Sequence, residues 1–277
     1  MRYTRRFKEI SKDNANEFGG KVASLGEMLK AGIPVPDGFG ISTDAFVSFN
    51  GKDFTDEFKQ ELHEMFKGLN VVRVAVRSSA IAEDSSVASW AGQLESYLNV
   101  DEDGFELAIR KCWNSINSNS AKSYAADKKL SKEDLFVGVA VQKMVNSDVA
   151  GVMFTANPVS NNIDELIIES AYGLGEVVVQ GITTPDRFTL DKKGMWVVEF
   201  SISIKEKMMI FESGKNKIID VPEQIADRTS LREDEVLKLA NLGIKIEKHY
   251  KKPMDIEWAF EGKKFYIVQS RPITTFI

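Results

Sequence analysis

Near the end of the chain, four side chains have types and spacings suited to metal and phosphate chemistry. In MDIEWAF, Asp255 and Glu257 alternate with Met254, Ile256, Trp258 and Phe260 at the period of a β-strand. In FYIVQSRPI, Gln269 and Arg271 share one face of a second strand. With a turn at Gly262-Lys263-Lys264, antiparallel pairing sets Glu257 opposite Gln269 and Asp255 opposite Arg271. A carboxylate and an amide oxygen suit Mg²⁺, which completes its shell with phosphate and water. An arginine beside them could stabilise a transferring phosphoryl group. An exposed sheet face with ordinary cross-strand pairs fits the same residues.

Two further cations invite the same question. Lys21 follows Gly19-Gly20 at the predicted start of a helix. A cation there opposes the helix dipole and gains most when a phosphate lies between them, and the glycines let backbone approach such an anion closely. It is not a Walker loop, because Ala15 replaces the earlier glycine and Val22 stands where Ser or Thr would meet Mg²⁺. A solvated lysine beside a tight turn reads equally well. Arg77 ends an apolar strand and opens Arg-Ser-Ser-Ala, a place suited to a bidentate phosphate fork. Ion pairing with Glu83 or Asp84 is the alternative. The small polar run SSVASWAGQ after it could cover phosphates or merely connect.

Other chemistries find little support. The 277 residues carry a net charge of −5 with both signs interspersed, which argues against a nucleic-acid footprint. The apolar fraction of 43% is enough for a sizeable core. His63 and His249 sit in helical segments without an acid–base constellation and read as surface or capping residues. Cys112, the one cysteine, reads as a small buried hydrophobe. No apolar run approaches the roughly 18 residues of a membrane span, and MRYTRRFKEI lacks a signal peptide's apolar stretch. A cytoplasmic protein is expected.

The elements that must position these residues follow from periodicity. Val22, Leu25, Met28 and Leu29 predict a helix after Gly20, and residues 53–67 a charged surface helix. VVRVAVRSSA predicts a strand with Val72, Val74 and Val76 on one face. Residues 105–127 read as one helical stretch. VGVAVQKMV and VAGVMFTA read as paired strands joined at Asn146-Ser147-Asp148, and ELIIES as another strand. Short strands are expected over 194–219. Ser230 and Glu233 predict a capping box for a long helix ending near Tyr250. Strand pairs interleaved with helices predict an α+β fold.

Taken together, GGKVASLGEMLKAGIPVPDGFGISTDAF, VAVRSSAIAEDSSVASWAGQLESYLNV, VAVQKMVNSDVAGVMFTANPVS, IIESAYGLGEVVVQGITTPDRF and IEKHYKKPMDIEWAFEGKKFYIVQSRPIT resemble the ATP-binding domain of the phosphoenolpyruvate synthase and pyruvate phosphate dikinase family. The five blocks occur in the family's order and cover nearly the whole chain. The resemblance implies a single ATP-grasp domain over 1–277, with ATP and Mg²⁺ between a lobe of about 1–143 and one of about 144–277. It implies phosphate contacts at Lys21 and Arg77, and a phosphate-covering loop with Gly92 and Ser96. Gln142, Lys143, Met144 and Val145 would edge the adenine, and Glu169 the ribose side. Glu257 and Gln269 would hold metal and phosphate, and Arg271 would assist transfer.

The resemblance also implies a phosphohistidine domain as partner and, beyond it, a small-molecule acceptor such as pyruvate. Neither later domain is within these residues, so a fragment or a separately encoded subunit, as in the related phenylphosphate synthase, is expected. Asn119-Ser120-Ala121, Ala125 and Ile81 depart from the common family pattern. These changes bear on the docking surface for a histidine domain.

Overall fold

The computed structural model describes residues 2–81, 94–128, 130–131 and 133–274. The chain forms two compact units: residues 1–32 with 36–144, and residues 33–35 with 145–277. The expected α+β class holds in both, because each is built on an antiparallel sheet with helices packed against it.

In chain order the first unit contains β1 (Thr4–Arg6), α1 (Ala15–Phe18), α2 (Gly20–Lys30), β2 (Gly38–Ile41), α3 (Thr43–Phe49), α4 (Asp56–Lys67), β3 (Val74–Ala80), β4 (Ser96–Val100), α5 (Phe105–Asn114), α6 (Asn119–Asp127) and β5 (Val137–Lys143). Its sheet runs β1-β2-β5-β3-β4. All seven residues of β3 are buried, with α2 and α5 both packed against this central strand. α4 starts where the Thr55 hydroxyl accepts from Phe58 N–H, and it buries Phe58, Leu62, Met65 and Phe66 at helical spacing. Phe58 stacks on Phe49, with Phe54 edge-on to both.

The second unit adds β6 (Val149–Phe154), β7 (Glu165–Tyr172), α7 (Glu176–Val179), β8 (Asp186–Asp191), β9 (Trp196–Ser201), β10 (Lys207–Glu212), β11 (Lys215–Asp220), α8 (Glu223–Ala226), α9 (Glu233–Tyr250), β12 (Met254–Glu261) and β13 (Lys264–Pro272). Six strands form one sheet, β13-β12-β6-β7-β8-β9, and β10-β11 form a separate hairpin. α9 lies against the sheet, where Gly243 leaves room for Met153. Among the described residues, no helix is long and apolar enough to cross a membrane.

Five local expectations need correction. The strand at VVRVAVRSSA starts at Val74, and Val72 is exposed. The helical stretch 105–127 breaks at Ser115–Asn117, after which the Ser118 hydroxyl caps α6 at Ala121 N–H. The strands at VGVAVQKMV and VAGVMFTA do not pair. β5 has β2 on one edge and β3 on the other, so β6 pairs with β7 and β12 in the other sheet. The cap of α9 is formed by the Glu235 carboxylate on Arg232 N–H, while Ser230 donates from N–H and hydroxyl to Asp186. Finally, the last hairpin turns on two residues, Gly262-Lys263, both at positive φ.

Candidate functional site

In the first unit the site residues are positioned by β3 and by the start of α2. Arg77 and Ser79 are two apart on β3 and so share a face. On β5, Ala140 lies opposite Arg77 and Gln142 opposite Ala75, so Gln142 belongs to the same face, roughly 7 Å further along by strand rise. Ser96 of β4 is directly opposite Arg77, whose Nε lies 3.5 Å from its hydroxyl. Lys21, in the first turn of α2, donates from Nζ to the Ser78 carbonyl at 2.7 Å. Lys21 and Arg77 are both buried. Lys21, Arg77, Ser96 and Gln142 are thereby gathered along one sheet face. The Gln142 side chain is buried and its Nε2 has no hydrogen-bond partner among the described residues. An orphaned buried amide is the kind of group a ligand satisfies.

Lys143 follows on the opposite face of β5, opposite Val74, and Met144 N–H donates to Arg73 O at 3.3 Å. Gly92 lies outside the described residues, as do Glu83, Asp84 and the run SSVASWAGQ.

In the second unit, three rows cross one face of the six-stranded sheet. The middle row runs Gln269, Glu257, Val152, Glu169, Arg187. Glu257 and Gln269 are the cross-strand neighbours that the register required. That register is reached differently from the three-residue turn expected: the two-residue turn starts the pairing one step off, and a bulge after Glu257 restores it. Glu169 lies two strands from Glu257, roughly 10 Å by strand spacing, too far to share one small cation. It faces Arg187 instead, at 3.7 Å.

Two residues along, Asp255 opposes Arg271. The guanidinium donates from Nε at 2.8 Å and Nη2 at 2.6 Å to the same oxygen, Oδ2. Burial pushes the Asp255 carboxyl up from its ordinary value, against the opposing pull of Arg271, with Glu257 adding to the rise. Two residues the other way, Ala259 and Ala150 pack with Val145, Tyr266 and Val268 into a small apolar bed. From bed to Arg271 the three rows span roughly 13 Å of strand.

This donor set can be tested against Mg²⁺. Among the described residues no group of three or more His, Cys, Asp or Glu could hold a metal by itself. One carboxylate beside one amide fits an ion that takes its other ligands from phosphate and water. The two histidines lie elsewhere: His63 pairs with Glu102, and His249 packs edge-on against Tyr250.

The Asp255–Arg271 pair was legible in the period-two pattern, and one further contribution was not. Ser79, whose hydroxyl accepts from Val22 N–H at 3.1 Å, has no local signal because its partner is distant in sequence.

One unit thus presents an apolar bed followed by acid, amide and arginine, and the other presents buried cations. The family model described as the pyruvate phosphate dikinase AMP/ATP-binding domain matches residues 15–66 and 48–276, and the chain belongs to this family. It is 38% identical over 320 residues to a probable phosphoenolpyruvate synthase of Methanocaldococcus jannaschii, covering 99% of this chain and 27% of that protein. A probable phosphoenolpyruvate synthase of Archaeoglobus fulgidus is 39% identical, with 96% and 41% covered. The phosphoenolpyruvate synthase of Pyrococcus furiosus is 33% identical, with 99% and 44% covered. The chain therefore spans between about a quarter and under half of the length of these relatives. The family resemblance read from the five sequence blocks is borne out.

Proposed function

We propose that this chain is the phosphoryl-donating, ATP-grasp part of a dikinase-type phosphotransferase. It binds ATP with Mg²⁺ between a lobe of about 1–143 and one of about 144–277, and passes a phosphoryl group to a histidine on another domain or subunit in the cytoplasm. Phosphoenolpyruvate synthesis from pyruvate is the reaction suggested by the names of its relatives. The observation that carries this reading is the register of the last hairpin, which sets Glu257 against Gln269 and Asp255 against Arg271 on one face.

Each group has a role in this reading. Gln142, Lys143, Met144 and Val145 edge the base, and Glu169 lies toward the ribose. Lys21 and Arg77 hold phosphate oxygens, joined by Ser96 and Gly92 on the covering loop. Glu257 and Gln269 would hold Mg²⁺, which supplies charge neutralisation at the phosphates. Arg271, oriented by Asp255, would donate to the transferring group as its bond to the nucleotide's phosphate oxygen breaks and a bond to the acceptor ring nitrogen forms.

Titration calorimetry with a non-hydrolysable ATP analogue tests the binding step. Binding should weaken when Mg²⁺ is chelated, and its absence at millimolar nucleotide refutes the reading. Labelled ATP with a histidine-domain partner tests transfer. Label should appear on the partner and not on His63 or His249 of this chain. Binding without transfer would point to a nucleotide sensor instead.

A further inference from the structure

We infer that Ser79 is a positioning residue for Lys21, acting as the helix cap that α2 cannot supply for itself. The inference rests on the nucleotide reading above. The first turn of any helix leaves backbone N–H groups without intrahelical partners, and a side chain at the N-cap normally takes one of them. At α2 the N-cap is Gly19, which has no side chain and sits at φ +83°. The missing acceptor comes from another strand. Ser79 Oγ on β3 accepts from Val22 N–H, in the first turn and 57 residues away in sequence.

The seat for this contact is built from small residues. A Cβ on Gly19 would overlap the carbonyl and hydroxyl oxygens of Ser79. Gly138 is directly opposite Ser79 on β5, and a Cβ there would overlap the carbonyl oxygen of Phe18. The Phe18-Gly19 turn is thus pressed onto the Ser79–Gly138 pair, and Ser79 is fully buried beneath it. A serine or aspartate cap at position 19 itself is sterically closed.

The result is a fixed offset between two cations. The helix is pinned at Val22 by Ser79, and Lys21, one residue earlier, reaches the carbonyl of Ser78. Arg77 leaves the same strand two residues before Ser79, on the same face. The tripeptide Arg77-Ser78-Ser79 therefore supplies one cation by its first side chain, holds the second through its middle carbonyl, and clamps the helix of the second with its last hydroxyl. Without the clamp the first turn frays, and Lys21 is presented to phosphate from an ensemble instead of one position.

A double-mutant cycle in the full chain tests this, with a non-hydrolysable ATP analogue and Mg²⁺ as the probe. Ser79→Ala should weaken binding about fivefold, the usual scale of a lost N-cap. In a Lys21→Ala background the same change should alter the dissociation constant little, because the residue acted through is gone. Hydrogen exchange at Val22 N–H in the nucleotide-free protein should accelerate in Ser79→Ala.

An undiminished penalty in the Lys21→Ala background would make Ser79 merely structural and overturn the proposal. Unchanged binding or unchanged Val22 exchange in Ser79→Ala would do the same. Should Ser79→Ala fail to fold, Ser79→Cys, slightly larger and a weaker acceptor, carries the same cycle. If the wild-type chain binds no analogue, the nucleotide reading itself fails, a result distinct from a wild type that binds and a Ser79 variant that binds equally well.

Discussion

Arg271 and Asp255 face each other across the last hairpin, with two guanidinium nitrogens bonded to one carboxylate oxygen. Such a pair fixes where the remaining guanidinium N–H groups point, which is what a transition-state contact needs.

Arg271→Ala should therefore slow phosphoryl transfer more than it weakens ATP binding. Loss of a donor used only in the transition state commonly costs about 2.7–4 kcal/mol in activation energy. In the proposed reading, ground-state nucleotide keeps Lys21, Arg77 and Mg²⁺. Lysine should rescue poorly, since one ammonium cannot both engage Asp255 and reach a phosphoryl oxygen as a planar fork does. Single-turnover rates beside an independent binding titration decide it. Equal losses in both would reduce Arg271 to a binding residue.

The same pair predicts a pH dependence. Asp255 in the unfolded chain titrates near 3.8, and burial raises it in the folded state. Above 3.8 and up to the folded value, the folded protein holds more proton than the unfolded, so this group's contribution to stability falls as pH rises. Asp255→Asn removes that slope. Urea denaturation of both proteins across this range should show the wild type losing ground to the variant with increasing pH. Parallel curves would refute it.

Deeper in the second unit, Lys205 and Asp186 form an ion pair with both side chains wholly buried. Asp186 also accepts from Ser203 N–H and from Ser230 N–H and hydroxyl, and Lys205 donates to Ser203 O. Breaking such a pair from one side commonly costs about 3–5 kcal/mol. Lys205→Met should lower unfolding free energy on that scale, as measured by denaturant titration. A loss no larger than that of a surface substitution would show that the serine donors suffice for Asp186.

Cys112 should be inert in the folded chain. Burial pushes its thiol up to about 12, and Sγ lies against Val76 O at 3.6 Å. Thiolate is the reactive form, so alkylation with iodoacetamide at neutral pH should wait for unfolding. Mass spectrometry with and without denaturant reads this directly. Rapid labelling of native protein would contradict it.

Much of the last hairpin's polar face was written in local pattern. Alternation of Asp255 and Glu257 with apolar neighbours forces the acids onto one face, and antiparallel geometry then leaves few partners for them. Gln269 and Arg271 were paired correctly although the turn was not, because a bulge beside Glu257 absorbed the one-residue difference. The family resemblance was equally legible, since it depends on the order of short blocks and not on their packing.

What the chain alone could not determine was long-range. The residues after Lys143 have every local mark of a hairpin turn, yet β5 and β6 belong to different sheets. Hydrogen-bonding edges are a shared resource, and both edges of β5 were taken by β2 and β3. Ser230 looked like a helix cap until Asp186, 44 residues away, claimed its donors. Ser79 looked like a strand residue until it proved to cap a helix 57 residues earlier. Residue type and period determined which groups this protein can offer to a nucleotide. Only the tertiary structure decided which backbone and hydroxyl groups hold them in place, because such partners are chosen by proximity and burial, which no window of sequence contains.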